Sequence, residues 1–358
     1  MHRRLFIDIS SHGFGHLAQA APVIEALARM RPGLCLTIRS GLPAEKMRSR
    51  IDAPFEHLAG RADFGFVMQD AMNVDGAASG AAYRAFHADW EARVDAEATL
   101  LRSLAPELVL TDVAYLPLAG AARAGIPALS MCSLHWADLF AHFFGGERWA
   151  APIREQILAA YRGAECFIRL TPAMPMPDLP NARAVAPVAA LGRDRRGELH
   201  ERLGAAAGER IVLIAFGGFA VGLNAAAWPV TPSLRYLVPE NWKIARRDMA
   251  AIEATGMDFT DLVRSVDAVL TKPGYGTFTE SACNGTPVLY VRRDDWPEQD
   301  CLIAWLAENA CCREAALAAV GGGALGEELE RLWRKPRPSP PEARGAREAA
   351  RLIASYLP

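Results

Sequence analysis

The sequence has no Cys-x-x-Cys pair, no long apolar run and almost no net charge, and each absence removes a class of function. Its seven cysteines, at 35, 132, 166, 283, 301, 311 and 312, are scattered. An odd, scattered set gives no disulfide framework and points to reduced thiols in a cytoplasmic protein. Vicinal Cys311-Cys312 reads as packing. No stretch approaches the ~20 apolar residues that a membrane-spanning helix needs. The N-terminus is basic and then apolar from Leu5, but Asp8 interrupts it too early for a signal peptide. A net charge of −2 gives no electrostatic case for nucleic acid. No group of acidic, His or Cys residues has a metal-ligand spacing, the acidic loop at 63–75 included. What is present is a chain of 358 residues, 51% hydrophobic and 22% charged, enough for two domains with full cores.

The stretch Asp267 to Arg293 carries the strongest pattern. Ala268 to Thr271 is one buried strand, Lys272-Pro-Gly-Tyr-Gly276 a turn, Thr277 the start of a helix, and Val288 to Val291 a second strand. Glycines let backbone N–H groups approach a ligand, and a helix N-terminus favours an anion. Lys272 adds a full positive charge. Phosphate is the guest this chemistry suits. Glu280, one turn on, can accept from sugar hydroxyls, or Thr277-x-x-Glu280 can be a capping box.

The chain opens in a similar way. Leu5 to Ile9 is a strand and Ser10 to His16 a glycine turn. Leu17, Ala20, Ala21, Ile24, Leu27 and Ala28 then recur at helical spacing, with Pro22 expected in or near the first turn. Leu34 to Ile38 is the next strand. One helix is expected over about Ala81 to Ser103. Leu108 to Thr111 and Ala128 to Cys132 are strands, with Asp112 and the segment Ser133 to Asp138 at their carboxyl ends, where open α/β sheets bind ligands. Five prolines in 171–187 mark a linker. Ile211 to Phe216, ending in Gly217-Gly218, restarts the pattern. A helix follows Pro297 and another spans Glu342 to Tyr356. The expected organisation is a first domain over 1–178, a second over 188–341, and a terminal helix, 342–358, packing back on the first.

Three motifs carry a resemblance. Ser-His-Gly-Phe-Gly-His at 11–16, Asp63-x-Gly65 with Gln69-Asp70, and Lys272-Pro-Gly-Tyr-Gly-Thr-x-Thr-Glu280 followed by Val291-Arg-Arg-Asp294 resemble motifs of GT-B glycosyltransferases. Those enzymes are α/β proteins with two Rossmann-like domains facing a cleft. The likeness covers most of the chain. It is to the glycosyltransferase-like N-terminal part of plant arabinose kinases and free-standing bacterial relatives, and more distantly to the nucleotide-sugar enzymes of natural-product and lipid II synthesis. The resemblance implies metal-independent, inverting transfer from a nucleotide-diphosphate sugar, UDP-linked, to the hydroxyl of a small-molecule, lipid or glycan acceptor, with no further cofactor.

By motif position the resemblance makes His16 the base and Asp112 its orienting carboxylate. His12, Gly13, Gly15 and His135 fall on the turn and acceptor side. Gly217, Gly218, Lys272, Gly274, Tyr275, Gly276 and Thr277 fall around the donor phosphates, Glu280 on the ribose, Arg292 and Arg293 on the diphosphate and Gln299 on the donor sugar. Many plant-type enzymes have a histidine, a cysteine and a glycine where Lys272-Pro273-Gly274 stand. Rival readings are a nucleotide-sugar sensor without activity, a nucleotide-sugar hydrolase or epimerase on the same fold, and a dinucleotide oxidoreductase. Gly13-x-Gly15-x-x-Ala18 fits the last, but the second strand ends at Arg39-Ser40 with no acid for a ribose.

Overall fold

The computed structural model describes residues 3–217, 225–322 and 324–358. Gly218 lies outside the described residues. Short apolar runs, buried on both faces, form two wholly parallel sheets, as such runs must when helices cover each side. The first contains β1 (Arg4–Ile9), β2 (Cys35–Ser40), β3 (Phe55–Ala59), β4 (Leu108–Asp112), β5 (Ala128–Cys132), β6 (Cys166–Leu170) and β7 (Ala182–Val185). The second contains β8 (Arg210–Ala215), β9 (Leu234–Val238), β10 (Met249–Ala251), β11 (Ala268–Thr271), β12 (Val288–Tyr290) and β13 (Cys312–Glu314). Their orders are β3-β2-β1-β4-β5-β6-β7 and β10-β9-β8-β11-β12-β13.

Strand order reverses between β1 and β4 in one sheet and between β8 and β11 in the other. Such switch points open a crevice at the strands' carboxyl ends. The first crevice receives the Ser10–His16 turn and Asp112; the second receives Gly217 and the Lys272 turn. The helices Gly15–Met30 and Tyr275–Asn284, which leave the two turns, meet at their N-termini. A Cβ at Gly276 would lie 2.6 Å from Ala18 Cβ, so only glycine permits this approach.

Four expectations change. The helix over 81–103 is two helices, Gly76–Ala88 and Trp90–Leu104, separated at Asp89. Asp75 caps the first by accepting from the Ala78 N–H at 2.9 Å. Pro22 lies inside Gly15–Met30, not in its first turn, because the helix begins at Gly15. The Tyr275–Asn284 helix starts two residues before Thr277, with Gly274 as its cap, so Thr277 and Glu280 form no capping box. The first sheet continues past residue 178, because β7 pairs with β6 as an edge strand between Pro180 and Pro187. The terminal helix, Gly345–Ala354, buries Ala346, Ala349, Ala350 and Ile353 in one cluster with Leu17 and Ile24.

Candidate active site

His16 is the second residue of its helix, and Asp112 is the last residue of β4. The 1–4 strand pairing brings His16 Nδ1 to 2.8 Å from Asp112 Oδ1. Asp112 is fully buried and His16 only 5% exposed at the cleft wall. With Nδ1–H donating to the carboxylate, Nε2 keeps its lone pair for a ligand. Burial opposes the imidazolium, but Asp112, Asp63 and Glu298 outweigh it and raise the His16 pKa. Burial also raises Asp112, with His16 partly offsetting it. Cys132 Sγ lies 3.9 Å from Nδ1, so these three side chains are a possible ligand set for a metal ion, though Nδ1 is already committed to Asp112.

His12 differs. Its ring stacks on Trp296 (5.9 Å, 7° between planes) and meets Trp136 edge-on at 5.4 Å. Burial, with His16, Arg293 and Lys272 nearby, holds its pKa at about 3. It is therefore neutral near pH 7, whereas the His16 pKa is shifted the other way, upward. Trp136 is itself oriented by Asp63, whose Oδ2 accepts from the indole N–H at 2.7 Å while Oδ1 accepts from the Ser10 hydroxyl at 3.0 Å.

Across the cleft stand Ala215, Phe216, Gly217 and the turn Thr271 to Thr277. Phe278 N–H makes the first helical bond, to the Gly274 carbonyl. The preceding N–H groups of Tyr275, Gly276 and Thr277 have no helical acceptor, the usual condition at a helix start. Burial and neighbouring Arg293 hold the Lys272 pKa well below the usual lysine range, with Glu298 acting the other way. Among the described residues no hydrogen bond or ion pair ties down its ammonium.

Several expected residues stand elsewhere. Of the two arginines expected at the diphosphate, Arg292 is exposed at the surface, paired with Asp300 at 2.6 Å, and Arg293 lines the cleft. Arg293 is 4% exposed, lies 4.4 Å over the Trp296 ring, and is lowered to about 10 by burial. Gln299 uses both ends of its amide on the Arg293 main chain, at 2.9 and 3.0 Å, and does not line the cleft; Glu298 does. Glu298 accepts from the Ser133 hydroxyl at 2.6 Å and the Trp296 indole at 3.1 Å. Glu280 is buried in an ion pair with Arg50 of the first domain and is also absent from the cleft wall. Tyr275 borders the cleft, but its hydroxyl bonds Thr171 and Val188 at the domain junction, each at 3.0 Å. His135 is fully buried and caps the helix Trp136–Phe144 through the Asp138 N–H, so it serves packing. Gly13, with φ of 89°, and Gly15 shape the first turn.

No protein-family profile matches the chain. Over 307 residues it is 27% identical to the L-arabinokinase of Arabidopsis thaliana, covering 85% of this chain and 29% of that protein. The chain thus spans under a third of the length of the curated relative it matches. Among solved structures it is similar to the glycotransferase of kitacinnamycin, with a TM-score of 0.66 and 14% identity over 99% of each chain. It is also similar to a UDP-N-acetylglucosamine 2-epimerase, with a TM-score of 0.55 and 11% identity over 99% of this chain and 97% of the other. The fold is GT-B, two Rossmann-like domains facing a cleft. Among the described residues no helix is long and apolar enough to cross a membrane.

Proposed function

We propose that the chain is a glycosyltransferase that moves a sugar from a nucleotide-diphosphate sugar to an acceptor hydroxyl with inversion. The observation that carries this reading is the His16–Asp112 pair facing a helix N-terminus flanked by Lys272 and Arg293. One side of the cleft thus holds a base and the other a place for a leaving diphosphate. His16 Nε2 takes the acceptor's hydroxyl proton, and Asp112 stabilises the imidazolium that forms. The acceptor oxygen bonds to the anomeric carbon as the bond from that carbon to the diphosphate oxygen breaks. Lys272, Arg293 and the N–H groups at Tyr275 to Thr277 meet the negative charge that develops there. Each such donor contributes roughly 2.7–4 kcal/mol in comparable sites. Glu298, anchored by Ser133 and Trp296, is placed to accept from the donor sugar's hydroxyls.

The similarity to an epimerase favours a second reading, nucleotide-sugar epimerisation or hydrolysis in the same cleft. Calorimetry and product analysis with a panel of nucleotide sugars separates the readings. Transfer, or slow donor hydrolysis lost in His16→Ala, supports the first. A C2-inverted sugar, or rapid release of free sugar that no acceptor suppresses or diverts, supports the second. Binding without turnover for any acceptor contradicts both and leaves a sensor.

A further inference from the structure

We propose that a hairpin of the N-terminal domain positions the phosphate-binding arginine of the C-terminal domain. The donor site is then complete only while this hairpin is seated. The proposal rests on the donor reading above.

The hairpin is residues 68–74, closed by an antiparallel bridge between Met68 and Val74 and a Gln69 N–H bond to the Asn73 carbonyl at 2.9 Å. Asp70 shapes its tip, because one carboxylate oxygen accepts from the Met72 N–H at 2.6 Å and the Asn73 N–H at 2.9 Å. Side chains that bond their own backbone two residues on make tight, local turns. The tip then crosses into the other domain. Ala71 is fully buried and Met72 is 7% exposed. Met72 joins the cluster around the second sheet that holds Phe216, Trp228 and Val291. At that point Arg293 Nη2 donates to the Ala71 carbonyl at 3.0 Å.

The arginine is thus held on two sides, by Trp296 below its plane and Ala71 at one edge. Its Nε–H is buried and, among the described residues, has no hydrogen-bond partner. A buried, unpartnered donor is costly, and a charge-assisted bond to an oxyanion is the contact that relieves it. The guanidinium lines the same cleft as Lys272 and the Gly274–Thr277 turn. A diphosphate there meets an arginine already fixed in place, so less rotamer freedom is lost on binding. Phe216 borders both the cleft and the Met72 seat, which links the hairpin to the same wall. Met72 is not part of the cleft wall; it acts through Arg293.

The test uses the full chain and two variants, Met72→Ala and Met72→Leu. Calorimetry is run with UDP, dTDP, GDP and ADP and with the nucleoside of whichever binds. Met72→Ala is expected to weaken the diphosphate about tenfold while leaving the nucleoside within about twofold, because the loss falls on a phosphate contact. Met72→Leu, which refills the seat, restores the affinity. In the wild-type chain the diphosphate slows amide exchange across Gln69–Asp75, a readout that stands even if Met72→Ala folds poorly. Unchanged diphosphate affinity in a folded Met72→Ala overturns the proposal. So does equal loss for diphosphate and nucleoside, or unchanged exchange in the hairpin on binding. If none of the four diphosphates binds the wild-type chain, the donor reading itself fails and this proposal with it.

Discussion

His16 Nδ1 and Asp112 Oδ1 are 2.8 Å apart although 96 positions separate them in the chain. The parallel pairing of Ile9 with Asp112 sets the distance, and the Ser10 N–H bond to the Asp112 carbonyl, 2.7 Å, pins the turn that carries His16. The His16 ring is therefore oriented by the sheet.

The acid limb of the rate should follow from that pair. Only neutral His16 is a base, so activity rises as pH climbs through its raised pKa. Asn at position 112 removes the carboxylate that raises it. The sign is fixed: Asp112→Asn shifts the acid limb to lower pH, and it lowers kcat roughly 100-fold or more, in the range general-base losses occupy. A pH profile of kcat/KM for both proteins checks this. A limb that stays in place assigns the titration to another group.

Lys272 predicts a proton count. Its pKa is depressed by burial and by Arg293. A bound diphosphate favours the ammonium, so binding takes up protons at a pH above the depressed pKa of the free protein and below the ordinary lysine range. Calorimetry in buffers of different ionisation enthalpy reads the uptake. Lys272→Ala should abolish it and weaken nucleoside diphosphate by about tenfold or more, the loss of one charge-assisted contact. Proton release on binding contradicts the account.

Glu298 and its neighbours should separate sugar from nucleotide. Glu298→Gln keeps a similar shape but loses the charge facing the cleft. It is expected to lower kcat/KM for the intact nucleotide sugar about tenfold while nucleoside diphosphate affinity changes little. Arg292→Ala removes only exposed pairs with Asp300 and Glu314 and should leave both within about twofold.

Gly276→Ala tests the closeness of the two domains. The added Cβ falls 2.6 Å from Ala18 Cβ, with helix backbone behind each. The helices must part, at a cost of about 1–3 kcal/mol. Thermal unfolding should show the loss, and pairing the change with Ala18→Gly should return most of it. Unaltered stability in the single variant would mean the helices are not in contact in solution.

The strands β1, β2, β4, β5, β8, β11 and β12, both glycine turns and the two-domain layout were legible because they depend on local apolar runs and on glycine and proline; β3, β6, β7, β9, β10 and β13, on the outer parts of the sheets, were not read as strands. Asp112 was legible for a similar reason: it ends an apolar run, and strand ends face the crevice. Choices between adjacent residues were not. Arg292 against Arg293, and Glu298 against Gln299, depend on which way a loop turns after β12, and irregular backbone has no period to read. Glu280 sits where a sugar contact was expected, but Arg50, 230 positions away, claims it. In the hairpin at 68–74 the sequence showed Gln69-Asp70 as part of a loop motif. Its buried parts are Ala71 and Met72, which carry no chemical signature.

The most direct test is product release from a panel of nucleotide sugars by the wild-type chain and His16→Ala, with donor binding followed in parallel. The account predicts that both bind the same nucleoside diphosphate with similar affinity. It further predicts that only the wild type transfers, or slowly hydrolyses, the matching sugar. Equal turnover by His16→Ala would contradict it, because the base would then lie elsewhere.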